Sequence, residues 1–597
     1  MSNIFFWFCT FANFWASIDI ATYTSSMMFL FLISILINFS LTSSDENSCS
    51  IFCSGELLRQ MQNQNIFGND SKTFVDSPLL QDPDVVLAAY NKLQRPLTKA
   101  VLQNFSNKYF DAVGSDLIPW IPDDWKPIPA IVPRIKNITL RNFTIALNNL
   151  WLKLGRQPSP DVYKNPQRHT LLPTVHPVIV PGGRFRENYY WDSYWIVKGL
   201  LLSDMNYTAA GIVDNFIDFV GRFGFVPNGG RVYYLTRSQP PLLSEMIKLL
   251  FQDKGGNALK KRIPALETEH RWWSNNRLKH TASHSTPSTW IQDKTIPSTC
   301  NINQAMSILN HYDADTILPR PESYREDYHQ AAAAAAKSHD TNASQVLRNI
   351  AAAAESGWDF SSRWFQNHRT LDTIQTTTIL PVELNVIMAR MEHNICNMST
   401  QFNRTTYCLY SKRRWNIIET CMWNETTSRW NDLIITKRNT VSQVININSV
   451  SNYIPIWGSY LLSTNSTRVV QAAKSLRDDS GLYLEAGLAT TNMHTGQQWD
   501  FPNAWSPLQD LIMDGLRNCA LVMDFNLKEN VEVLKTFAKD LGQRWLKTNL
   551  EAFLQTGFMY EKYDATTTGK GGGGGEYVPQ LGFGWTNGVM FELLNDL

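Results

Sequence analysis

From about residue 185 to the end, the sequence repeats one pattern: apolar residues at helical spacing, broken by loops rich in Pro, Gly and Asn. Ile212, Val213, Phe216, Ile217 and Val220 form one such face, with Thr208 in front as a candidate N-cap. Val531, Leu534, Ala538, Leu541 and Trp545 form another, and alanine-rich stretches predict helices over 323–337 and 344–364. Candidate strands are few and short, such as 232–235. Roughly ten to twelve helices follow from this periodicity. No shift in composition divides them, so an all-α chain is expected, with one large helical catalytic domain behind an N-terminal extension. The 597 residues would otherwise suggest several domains, a prior that large closed barrels override. The stretch 396–448, dense in Thr and Asn, reads as a surface insertion.

Residues 1–42 read as a leader, and 43–597 as the catalytic domain with its extension. The apolar run 27–41 is followed by polar residues, as in a secretory signal, and is shorter than the ~20 residues a membrane-spanning helix needs. Its distance from Met1 leaves two readings open: a start at Met27 or Met28, or an uncleaved anchor. A secreted, extracellular protein is expected. Ten N-x-S/T sequons beyond the leader agree with that, at Asn69, Asn104, Asn137, Asn142, Asn206, Asn342, Asn397, Asn403, Asn424 and Asn465. Seven cysteines follow the leader (Cys49, Cys53, Cys300, Cys396, Cys408, Cys421 and Cys519), an odd number that leaves at least one unpaired. Spacing alone fixes no pairing. No C-terminal apolar span points to an anchor there.

Lys and Arg number 54 against 53 Asp and Glu, a balance that argues against nucleic acid and for a neutral, compact ligand. HExxH, paired CxxC and phosphate-loop motifs are absent, so neither a metal nor an organic cofactor is implied. Twenty tryptophans fit either stacking platforms for sugar rings or a large aromatic core. The densest chemistry is PGGRFRENYYWDSYW at 181–195, where arginines and carboxylates sit among aromatics. QWDFPNAWSP at 498–507 and ESGWDFSSRW at 355–364 are similar in kind. Asp359, next to Trp358 on a predicted helix, would lose hydration of its charged form and rise in pKa, which suits a general acid. Glu355 and Arg363, four residues to either side, offer a plainer reading as a helical ion-pair ladder.

At these motifs the sequence resembles the trehalases of glycoside hydrolase family 37, with an animal, insect-like character. PNGGRVYYLTRSQPPLLSEM (227–246), PRPESYREDY (319–328), EKYD (561–564) and GGGGGEYVPQLGFGWTNGV (571–589) extend the match in the family's order. The resemblance implies an (α/α)6 barrel that hydrolyses α,α-trehalose to two glucose molecules with inversion. It assigns Asp359 as general acid and Glu561 as general base. By the same matching Arg184, Trp191, Asp192, Asn228, Arg237, Arg320, Glu322, Gly357 and Glu576 would contact the disaccharide. Glu576 follows five glycines, so 571–575 reads as a mobile loop over the site rather than a linker. Glu383 in PVELN and Ser506 in QWDFPNAWSP depart from the family pattern. A hydrolase with another disaccharide preference, or a silent sugar-binding protein on the same fold, stand as alternatives. The oligomeric state is left open.

Overall fold

The computed structural model describes residues 49–596, except 252–258, 279–289, 339–340, 400–402, 437–438, 463–464 and 524–526. The predicted leader, with its apolar run 27–41, lies outside the described residues. Among those described, twelve helices alternate between an outer and an inner ring. They are α1 (Ile138–Leu154), α2 (Asp192–Leu202), α3 (Asn206–Phe223), α4 (Leu243–Phe251), α5 (Ile263–Asn276) and α6 (Val382–Met398). The second half comprises α7 (Arg404–Ile417), α8 (Pro455–Leu462), α9 (Ser466–Asp478), α10 (Ser506–Val522), α11 (Lys528–Thr556) and α12 (Gly584–Asn595). Even-numbered helices pack on one another in the order α2, α4, α6, α8, α10, α12 and back to α2. Odd-numbered helices lie outside them, so the chain forms the expected (α/α)6 barrel.

Burial separates the two rings. α3 buries Ile212, Val213, Phe216 and Phe219 and turns Tyr207 and Asn206 to solvent, the one-sided pattern of a surface helix. It ends where Gly224 takes φ 83°, a left-handed cap. Inner α6 is buried nearly all round, polar residues included, and each of its charges has a partner. Arg390 forks onto Glu245 of α4 at 2.9 Å, and Glu392 accepts from Arg414 of α7 at 2.8 Å. Where α2 and α12 close the ring, Gly199 and Gly588 face each other. A Cβ on Gly199 would lie 2.6 Å from the Gly588 Cα, and one on Gly588 would lie 2.0 Å from the Trp195 carbonyl oxygen. Only glycines allow the first and last inner helices to meet this closely.

The extension packs around its own aromatic cluster, including Phe52, Phe74, Phe105 and Phe110, and abuts Tyr189, Tyr233 and Tyr234 of the barrel loops. A buried charge network joins the two parts. Lys72 reaches Asp76 (2.6 Å) and Glu187 (2.7 Å), while Arg231 reaches Asp116 (2.7 Å), Glu187 (3.0 Å) and Asp76 (3.2 Å).

Four expectations are corrected. Helix α3 starts at Asn206, before Thr208, because Asp124 of the extension accepts from the amides of Tyr207 (2.8 Å) and Thr208 (3.0 Å) and supplies the cap. The stretch 232–235 is a 3₁₀ turn, Val232–Tyr234: its pairing with the neighbouring segment stops at a single bridge between Arg231 and Leu171, and the Val232 amide donates to the Thr170 carbonyl at 2.8 Å as the chain turns away. The helix expected over 344–364 ends at Glu355. The stretch 396–448 is no surface insertion: it holds α7 and buries Cys421, Trp423, Trp430 and Leu433. Its polar residues had suggested exposure, yet the strand Leu433–Ile435 lies between Ile379–Leu380 and Thr440–Gln443 in a four-stranded sheet. Disulfides pair Cys49 with Cys53, Cys300 with Cys421 and Cys396 with Cys408, and Cys519 is left as a buried thiol.

Candidate active site

The connections that lead from an outer helix into an inner one carry the chemistry. Residues 181–191 precede α2; Asn228, Arg237 and Gln239 precede α4; Arg320, Glu322, Gly357 and Asp359 precede α6. Trp499 and Trp505 precede α10, and Glu561, Glu576 and Tyr577 precede α12. A ring in which inner and outer helices alternate sends all these connections to one end. All eleven residues singled out in the sequence (Arg184, Trp191, Asp192, Asn228, Arg237, Arg320, Glu322, Gly357, Asp359, Glu561 and Glu576) line one pocket there.

Asp359 is not on a helix. Gly357, at φ 75°, turns the chain out of the preceding helix, and a Cβ there would meet the Trp191 indole at 2.8 Å. The close approach of ring and backbone therefore requires glycine. The helical ion-pair ladder does not exist either. Glu355 accepts from Arg277 (2.9 Å) and from the amides of Ser238 (2.9 Å) and Asp313 (2.8 Å), which anchors the loop beneath Asp359. Arg363 pairs with Asp432 (2.7 Å) and with Glu383. Asp500 gathers the second motif onto this loop, accepting from Ser361 (2.9 Å), the Ser362 amide (2.9 Å) and Thr491 (2.9 Å).

Three arginines divide the pocket's negative charge. Arg184 forks onto Asp70 of the extension (2.7 and 3.1 Å) and lies 4.7 Å from the Tyr577 ring centre. Arg237 donates to Asn228 (2.7 Å) and Glu322 (2.6 Å). Arg320 grips Asp327 (2.7 Å), reaches Glu576 (3.1 Å) and comes within 3.9 Å of Asp359. Burial would raise Glu322, but Arg237 and Arg320 overcome it and hold the carboxyl below its usual value. For Asp359 the balance is reversed. Burial pushes it up to about 6 against the pull of Arg320, although 28% of its side chain still opens onto the pocket. Asp192 rises well above the carboxylate range through burial and the nearby Glu561 and Asp359 charges. Burial likewise raises Glu576.

Glu561 accepts from the Tyr577 hydroxyl (2.8 Å) and the Gln580 amide (3.3 Å). Burial keeps the Tyr577 phenol protonated, so it remains a donor. The glycine run is tied down in this state: the Asn503 side chain donates to the Gly573 carbonyl (2.8 Å) and accepts from the Gly573 amide (3.0 Å). Trp499 stacks on Trp505 with centroids 3.9 Å apart, and Trp358 stacks behind Trp499 at 5.4 Å without lining the pocket. The sequence reading missed Tyr577, Gln239, Tyr189, Tyr234 and Trp585, which also line it. Tyr577 and Gln239 lie inside quoted motifs; the signal was present but carried no charge. The departures Glu383 and Ser506 stand outside the pocket lining. Ser506 donates to Thr586 at 3.1 Å and so joins α10 to α12.

Donor sets for a metal, three or more His, Cys, Asp or Glu, are not found among the described residues. The family model described as Trehalase matches residues 66–597. Human trehalase is 38% identical over 557 residues, covering 91% of this chain and 89% of its own length. Trehalase of Apis mellifera is 37% identical over 567 residues, covering 91% and 83%. Neutral trehalase Nth1 from Saccharomyces cerevisiae, a solved structure, has a TM-score of 0.54 at 23% identity over 70% of this chain and 74% of that one, and shares the fold. With its fold, its pocket and these matches in agreement, the chain belongs to the trehalase family.

Proposed function

We propose that this member of the trehalase family hydrolyses α,α-trehalose to two glucose molecules by inversion, with Asp359 as general acid and Glu561 as general base. The observation that carries the reading is the contrast between two carboxyl groups in one pocket. Asp359, raised to about 6, holds a proton at mildly acidic pH and can deliver it to the glycosidic oxygen. Glu561 is oriented by Tyr577 and the Gln580 amide, as a carboxylate that draws a proton from water needs to be. The two come from different inter-helix connections and face one pocket; an inverting pair stands about 6.5–9.5 Å apart to admit the water. With the Nε and Nη2 donors of Arg184, Arg237 and Arg320 held by protein groups, their remaining N–H donors can turn to sugar hydroxyls; Asp192, Glu322 and Glu576 offer carboxyl oxygens, and Trp191 offers a ring face.

Purified protein is expected to release glucose from trehalose much faster than from maltose or sucrose, and equal rates would refute the substrate. Proton NMR of the earliest products should show α- and β-glucose in equal amounts, because one ring keeps its configuration and the other inverts. The α-anomer alone would refute inversion.

Export from the cell is part of the same proposal. Disulfides favour an oxidising compartment, three are formed here, and nine of the ten sequon asparagines are exposed, with Asn424 partly so. Protein recovered from the medium of a eukaryotic host should lose apparent mass on treatment with an N-glycosidase. An unchanged mass would count against glycosylation.

A further inference from the structure

Lys562 carries its side-chain nitrogen into a place where packing alone would call for an apolar side chain. Its side chain is wholly buried, yet it does not line the pocket. The residue lies on the short strand Lys562–Asp564, opposite Trp505, and its ammonium is 5.0 Å from the Trp505 ring centre and 5.4 Å from that of Tyr577. An ammonium in such surroundings needs a counter-charge and hydrogen-bond acceptors. The two it has belong to the two halves of the candidate chemistry. Glu561 Oε2 lies 3.5 Å away, and Gln498 Oε1 accepts from Lys562 Nζ at 2.9 Å.

Gln498 continues the chain. Its side-chain amide donates to the peptide oxygen of Asp359, while its own carbonyl accepts from Trp505 Nε1 (3.0 Å) and Asn503 Nδ2 (3.0 Å). The next residue repeats the tie, with the Trp499 amide donating to the Phe360 carbonyl at 3.0 Å. The loop bearing Asp359 and the strand bearing Glu561 are thus joined by one continuous link, Glu561–Lys562–Gln498–Asp359. Neither middle residue lines the pocket.

We propose that Lys562, acting through Gln498, is the positioning residue that sets Glu561 at its working separation from Asp359. The inference rests on the acid and base roles proposed above. It follows from geometry: a general base and a general acid act on opposite sides of one bond, and a displacement of about 1 Å in such a pair lowers turnover about 100-fold. Contacts to the sugar come from other residues, so the effect falls on kcat and leaves KM nearly unchanged.

Lys562→Met, Gln498→Leu and the double variant test it, with folding checked by thermal melting and Glu561→Gln as the control. Each single variant is expected to lose about 100-fold in kcat on trehalose with KM within about threefold. The double variant should lose little more than either single one, since both break the same link. Losses that multiply in the double variant would overturn the inference, as would a KM rise that accounts for the whole effect. If Lys562→Met does not fold, Gln498→Leu decides, because it leaves the ammonium and Glu561 in place: a fall in kcat at constant KM supports the link, and wild-type kcat refutes it. An active Glu561→Gln would instead remove the acid–base reading itself. An inactive Glu561→Gln beside unimpaired Lys562→Met and Gln498→Leu would remove only the positioning role.

Discussion

Asp359→Asn is expected to lower kcat/KM on trehalose by about 1,000-fold, within the range of about 10²–10⁴ that general acid catalysis supplies. The substitution keeps the shape of the side chain, and the Gln498 contact to residue 359 goes to the peptide oxygen, so the loop should stay in place. What is lost is the proton. Because burial raises Asp359 to about 6, its acid form is present below that pH and disappears above it. The wild-type rate should therefore fall as pH rises through about 6, and that limb should be missing from the residual activity of Asp359→Asn. Glu561→Gln should be impaired to a similar degree. A pH series of kcat/KM on all three proteins checks both points, and activity within tenfold of wild type in either variant would remove that residue from its role.

The largest loss of stability is expected from Arg231→Met. Arg231 is fully buried and lies against Asp116, Glu187 and Asp76, none of which reaches solvent. Methionine would fill much of the same space while leaving three buried carboxylates with Lys72, and Arg186 at 3.3 Å from Asp76, as the remaining cations of the network. Breaking a buried pair by removing one partner destabilises a protein by about 3–5 kcal/mol, because the other charge stays where water cannot reach it. Since the network joins extension to barrel, the damage should reach the pocket: Asp70, which holds Arg184, sits in the same segment as Lys72 and Asp76. The variant should unfold at clearly lower urea concentration and inactivate faster on warming. A shift worth under about 1 kcal/mol would contradict this account of the network.

The residues that were legible in the sequence share a property: their meaning lies within one segment. Helices α3 and α11 could be read from their apolar faces, and the pocket residues from motifs in which charge and aromatic groups are adjacent. What could not be read depended on partners far along the chain. Asp359 looked helical because alanine-rich sequence runs up to it, yet the Glu355 anchor to Arg277 and the turn at Gly357 end the helix first. Arg363 looked like a partner for Asp359, but the structure brings Asp432 to it from 69 residues away. The stretch 396–448 misled through composition, since most of its described Thr and Asn residues are exposed or half-buried while Trp423, Trp430 and Asn431 are buried. Lys562 and Gln498 lie inside the motifs EKYD and QWDFPNAWSP, yet neither motif shows what they join, because the meaning of each depends on the other.

The glycine contact between α2 and α12 bears on how the enzyme is made. Protein synthesis delivers α2 early and α12 as the last of the twelve helices, and the ring cannot shut until both exist. Until then the facing surfaces of α2, α10 and α1 have no cover, and the segment bearing Glu561 has no helix to hold it beside Trp191. A nascent chain can fold its early parts while later ones are still being added. Activity should nevertheless appear all at once, when α12 emerges, so that a ribosome stalled before it holds eleven of the twelve ring helices in an inert chain.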